Sequence, residues 1–102
     1  MKFYSTKNFS NTVTFKEALL TGMPEDKGLY MPECIPDLSK IFNQDAKLTF
    51  EEIAFLIAYK FVEKELSNNQ LQNIIEHSIT FKAPNKIIHE NIYCLELFHG
   101  PL

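Results

Sequence analysis

Glycine is scarce. Gly22, Gly28 and Gly100 are the three glycines in 102 residues, too scattered for consecutive backbone amides to cradle an anion, which excludes a glycine-rich phosphate loop. Cysteine is nearly absent as well. Cys34 and Cys94 stand far apart with no partner at Cys-x-x-Cys spacing, so neither a zinc site nor a dithiol motif is indicated. Both thiols are expected to be reduced packing residues. Positive charge is not in surplus: ten Lys and Arg against thirteen Asp and Glu give a formal net charge of -3 without basic clustering. Nucleic acid is therefore not an expected partner. No apolar run approaches the roughly eighteen residues of a membrane span, and Met1 to Thr12 lack the apolar core of a signal peptide. A membrane is not an expected partner either, and the expected location is the cytoplasm. Internal repeats, low-complexity tracts and linkers are missing too.

What is present is an ordinary globular composition, 45% apolar and 23% charged. A chain this short cannot bury a second core, so residues 1–102 are read as one domain.

Lys2 to Ser5 alternates and carries two aromatics, which predicts a short strand, followed by a polar turn through Lys7 to Asn11. Thr14-Phe15-Lys16-Glu17 has capping-box spacing and Gly22 is placed to end a two-turn helix. Pro24, Pro32 and Pro36 leave room for one extended segment around Leu29-Tyr30-Met31. Leu38 to Phe42 suits one helical turn before the polar segment Asn43 to Lys47. Thr49-Phe50-Glu51-Glu52 is a second capping box. The helix after it places Phe50, Ile53, Ile57 and Phe61 on one side, widened by Ala54, Leu56, Ala58 and Val62, so it is expected at the centre of the core. Ser67-Asn68-Asn69-Gln70 is a third box, after which Leu71, Ile74, Ile75 and Ile79 describe a one-sided helix. These two helices should pack as a hairpin. Beyond Pro84, Ile92 to Phe98 is apolar on both faces except at Glu96, which predicts a strand covered on both sides. The fold class is mixed α+β: a helical hairpin and short helices packed with short strands.

Few residues could carry chemistry. His77 falls off the apolar stripe of its helix and His89, beside Glu90, sits in a polar turn, so both read as solvated. His99 follows a buried strand and precedes Gly100-Pro101, at the carboxyl end of a strand where α/β sheets bind ligands. Function and turn geometry both remain open for it. Glu96 needs either a partner beyond this chain or a wet edge, because an unpaired carboxylate facing a core costs several kcal/mol. A buried strand running into Gly-Pro is an unusual domain terminus, so the natural polypeptide is expected to continue.

Three stretches resemble the beginning of the threonine synthase family. They are Met1-Lys2-Phe3-Tyr4-Ser5-Thr6; Val13-Thr14-Phe15-Lys16-Glu17-Ala18 with Gly22 and Gly28-Leu29-Tyr30-Met31-Pro32; and Leu95-Glu96-Leu97-Phe98-His99-Gly100-Pro101. The last is the specific one, and the three run in register over essentially the whole chain. The resemblance implies the N-terminal domain of a tryptophan-synthase-β-like, fold type II enzyme. Such an enzyme uses pyridoxal phosphate to convert O-phospho-L-homoserine and water to L-threonine and phosphate. It also implies that the cofactor lysine follows in a Thr-x-Ala-Phe-Lys-Asp segment beyond residue 102. The chain alone should then be inactive and hold no cofactor, and its partners would be the remaining domains of the same enzyme. Glu96, Phe98, His99, Gly100 and Pro101 would be the strand and turn leading to that lysine, in positional roles. Two departures stand out. Lys27 replaces a glycine of many relatives, so only Gly28 remains to supply a positive φ, and Leu102, where the family has threonine, is read as a vector-encoded scar.

Exposed apolar surface, and with it self-association, is expected where the remaining domains would sit. An alternative is a naturally short interaction module derived from the same domain. A small hydrolase pairing Cys94 with His99 would need a sharp bend and an orienting third group.

Overall fold

Three reciprocal caps decide where the main helices begin. The computed structural model describes residues 1–42 and 47–100; Pro101, Leu102 and most of the polar segment Asn43 to Lys47 lie outside them. Thr14 Oγ1 accepts the Glu17 amide at 3.1 Å while Glu17 accepts the Thr14 amide at 2.8 Å, starting helix α1 (Phe15–Thr21). The same exchange between Thr49 and Glu52 opens α3 (Phe50–Val62), and that between Ser67 and Gln70 opens α4 (Asn68–Ser78). Each box satisfies orphan amides of the first turn. Gly22, at φ 72°, closes α1 as expected. The short α2 (Ser39–Phe42) follows the proline-rich loop.

Strands β1 (Lys2–Ser5), β2 (Asn8–Thr14) and β3 (Tyr30–Pro32) make an antiparallel sheet in the order β2-β1-β3. The polar turn expected through Lys7 to Asn11 shrinks to Thr6-Lys7, because Asn8 and Thr12 pair with Ser5 and Tyr4 of β1, the residues between them bulging from an exposed edge strand. An edge strand with one wet face tolerates Asn, Ser and Thr, so polarity alone misreads it as a loop. The turn before β3 holds another correction. Lys27, at φ 61°, takes the left-handed conformation expected of Gly28. Gly28 is needed for space instead, since a Cβ there would collide with Ser5 Oγ.

The buried core is small: Val62, Leu71 and Ile75 from the α3–α4 hairpin, with Phe3 of β1 and Ala18 of α1. Helix α3 is half-buried along its length and only Val62 is buried, so it is not the enclosed centre its breadth predicts. Its neighbour is α4, and no other described element wraps it. Ile74 likewise stays 47% exposed at the edge of the α4 stripe.

Beyond α4 the chain makes a hairpin of β4 (Asn85–His89) and β5 (Ile92–Leu95), joined at Glu90-Asn91 with Asn91 at φ 61°. β4 was unforeseen; Asn85 to Glu90 reads as a turn because its two isoleucines are bracketed by polar residues. The hairpin also corrects the expectation of a strand covered on both sides, because every residue of β4 and β5 is exposed. Its burden of Ile87, Ile88, Ile92, Tyr93 and Leu95 is an apolar surface that nothing among the described residues covers. The radius of gyration, 16.5 Å, exceeds the roughly 13 Å of a compact chain of this length. Cys34 and Cys94 are free and exposed, not packed.

Candidate functional site

β5 delivers residues 96–100 as a tight turn. The last tie to the hairpin is the Glu96 amide, which donates to the Pro84 carbonyl at 3.0 Å. From there the Glu96 carboxylate accepts from His99 Nε2 at 2.8 Å, with the side chains 23% and 41% exposed respectively. A carboxylate only accepts, so this bond assigns the Nε2 proton to the imidazole. The Phe98 ring leans on that imidazole, centroids 4.5 Å apart, while remaining 73% exposed. Gly100 closes the turn against Phe81, whose ring meets Phe50 edge-on at 6.0 Å. Of the five positions expected here the structure brings four together, and Pro101 lies outside the described residues.

Glu96 has thereby a partner within the chain, on a partly wet turn, and neither a buried orphan charge nor a ladder position. The arrangement is a carboxylate–imidazole pair without a nucleophile: His99 Nε2 is committed to Glu96, and Cys94 belongs to β5 opposite Lys86. His77 is exposed and hydrogen-bonded through Nδ1 to the Asn73 carbonyl at 2.7 Å, and His89 ends β4 opposite Ile92. Among the described residues no group of three or more His, Cys, Asp and Glu could hold a metal ion.

A second polar cluster escaped the sequence reading. Ser5, 5% exposed, donates to Asp26 Oδ1 at 2.7 Å and accepts the Lys7 amide at 3.2 Å; the Gly28 amide donates to the same carboxylate oxygen at 2.8 Å. The Ser5 hydroxyl, followed by the Gly28 amide, holds the Asp26 carboxyl below the usual aspartate range. Ser5 and Asp26 border a cavity of about 390 Å³ that also meets Asn8, Asn11 and Glu25. The one signal in the sequence is Asp26-x-Gly28, a turn whose aspartate binds an amide two residues on. Among the described residues no helix is long and apolar enough to cross a membrane.

The family model described as the threonine synthase N terminus matches residues 2–79. The threonine synthase of Haemophilus influenzae is 39% identical over 101 residues, covering 99% of this chain and 24% of that protein. The crystal structure of threonine synthase from Escherichia coli superposes with a TM-score of 0.86 at 30% identity, over 98% of this chain and 24% of its own. The structure of pyridoxal-phosphate-bound threonine synthase from Brucella melitensis gives 0.86 at 30% identity, over 99% and 23%. The chain spans about a quarter of the length of the relatives it matches. The family model ends before the 96–100 turn, whereas the pairwise matches run through it.

Proposed function

The chain belongs to the family of threonine synthase N termini, and from that premise we propose that residues 1–102 form the N-terminal domain of an enzyme that converts O-phospho-L-homoserine and water to L-threonine and phosphate. The observation that carries the reading is the agreement of fold over nearly the whole chain with two threonine synthase structures. The uncovered β4–β5 hairpin supports it, because a lone two-stranded ribbon is marginal in water and is stabilised by packing against further structure. The further domains of the same enzyme would cover it. Where they are missing, self-association through the same surface takes their place. The reaction is proposed to run in the cytoplasm.

Pyridoxal phosphate, when bound in the whole enzyme, supplies an electron sink for carbanion chemistry. Neither the cavity beside Asp26 nor the 96–100 turn suits its phosphate. No lysine lines that cavity, whose rim carries Glu25 and Asp26, the wrong sign for a phosphate, and the 96–100 turn contains no lysine. The part of this chain in the chemistry is positional. Glu96, Phe98, His99, Gly100 and Pro101 would orient the backbone as it passes to the cofactor-bearing segment, where small displacements cost rate.

The test is phosphate release from O-phospho-L-homoserine, measured with the reading frame extended past Pro101 and with the chain alone. Release by the extended protein only is expected; an extended protein that releases none, or a chain that releases phosphate alone, overturns the proposal.

A further inference from the structure

Gly100 is the one glycine here whose need is set by a single side chain. The three atoms nearest to a Cβ built on it are Phe81 Cζ at 2.9 Å, Cε1 at 3.0 Å and Cε2 at 3.1 Å. Its φ is outside the left-handed region, so an alanine would meet no backbone strain there and would be crowded by the ring alone. An added methyl would therefore have to move either the ring or the turn by a few tenths of an ångström, and the ring has a neighbour that opposes its movement. It stands edge-on to Phe50 at 6.0 Å, and Phe50 is the first residue of α3, directly after the Thr49 cap. Aromatic edge-to-face pairs hold a preferred geometry, so a chain of contact runs from the capped end of α3 through Phe81 to the turn that carries Glu96 and His99.

We infer that Phe81 is a positioning residue for the Glu96–His99 turn: its ring transmits the placement of α3 to Gly100 and so sets where the chain leaves the hairpin. The functional meaning of that turn rests on the reading proposed above. Phe81 itself touches none of the groups in the Glu96–His99 bond and acts through Gly100.

A double-mutant cycle on the 102-residue chain tests it. Leucine lacks Cζ, Cε1 and Cε2, so Phe81→Leu removes the three atoms that would crowd a Cβ at position 100. The readout is the ring nitrogen chemical shifts of His99, which report whether Nε2 keeps the proton it donates to Glu96. Gly100→Ala should move those shifts toward the tautomer mixture of a free imidazole. Phe81→Leu alone, which takes the ring away from Gly100, should move them too, and adding Gly100→Ala to it, whose methyl refills part of the space the ring leaves, should bring them back. Unmoved His99 shifts in Gly100→Ala overturn the inference, as does a double variant in which the shifts stay displaced. Loss of melting temperature with His99 undisturbed also overturns it, since that marks plain packing. Phosphate release plays no part in this readout, so either proposal can fail while the other stands.

Discussion

The Glu65 carboxylate accepts the Phe15 amide at 2.8 Å, fifty residues earlier in the chain, and its other oxygen accepts the Lys16 amide at 2.8 Å. A side chain from the end of the α3 segment thus caps α1 and clips the sheet to the helical hairpin. Charge-assisted hydrogen bonds at a helix N-terminus are the stronger kind.

Replacing Glu65 with alanine should lower the unfolding free energy by about 2 kcal/mol, in the range for hydrogen bonds to a charged group. Glu65→Gln, which keeps one acceptor oxygen, should lose less. Urea denaturation measures both, and equal stability in all three proteins would show that the clip contributes nothing.

Asp26 makes stability depend on pH at the acid end. Its folded pKa is lowered, chiefly by the Ser5 hydroxyl and then by the Gly28 amide. The folded chain therefore keeps the carboxylate where the unfolded chain would bind a proton. This contribution is complete above the ordinary aspartate value of about 4 and is lost as pH falls through the lower folded value. Glu17 and Asp37, lowered by bonds from Thr14 and Ser39, act in the same direction. Melting temperature should drop as pH falls below about 4, less steeply in Asp26→Asn. Parallel profiles for the two proteins would exclude the assignment to Asp26.

Leu71, 4% exposed, packs with Val62 and Ile75 at the middle of a small core. Leu71→Ala should cost about 2–5 kcal/mol, a large fraction of the stability of a marginal domain. Ile74→Ala, on the same helix but half exposed, should cost clearly less. Thermal melts of the two variants decide it, and a reversed order would place the core elsewhere.

Exposed Ile87, Ile88 and Ile92 should make the isolated chain associate as concentration rises. Sedimentation should show this, and Ile88→Lys with Ile92→Lys should keep the chain monomeric. A wild-type chain that stays monomeric at high concentration would remove the hairpin as a sticky surface.

In the extended protein, His99→Ala should reduce turnover by roughly 10- to 100-fold through displacement of the turn, since misplacement of about 1 Å near a reacting centre costs that much. Unchanged phosphate release would remove the positional role assigned to His99.

Local chemistry wrote the helices into the sequence. Thr14, Thr49 and Ser67, each three residues before Glu or Gln, announce helix starts because a cap is satisfied within one turn and asks nothing of the rest of the chain. Strand β1, the pairing of α3 with α4 and the resemblance of the Leu95 to Pro101 stretch were legible for the same reason, as short-range patterns. The tertiary structure decided what depends on distant partners. Polar β2 is a strand because β1 is there to pair with it, and Gly28 is a glycine because Ser5, far away in sequence, would meet any Cβ at that position. Glu65 reaches Phe15, and Phe81 seats Gly100, only once the segments between them have folded. Periodicity reports that a face is apolar, not whether anything is near enough to cover it, and so the strand expected to be covered on both sides stands exposed as half of a hairpin.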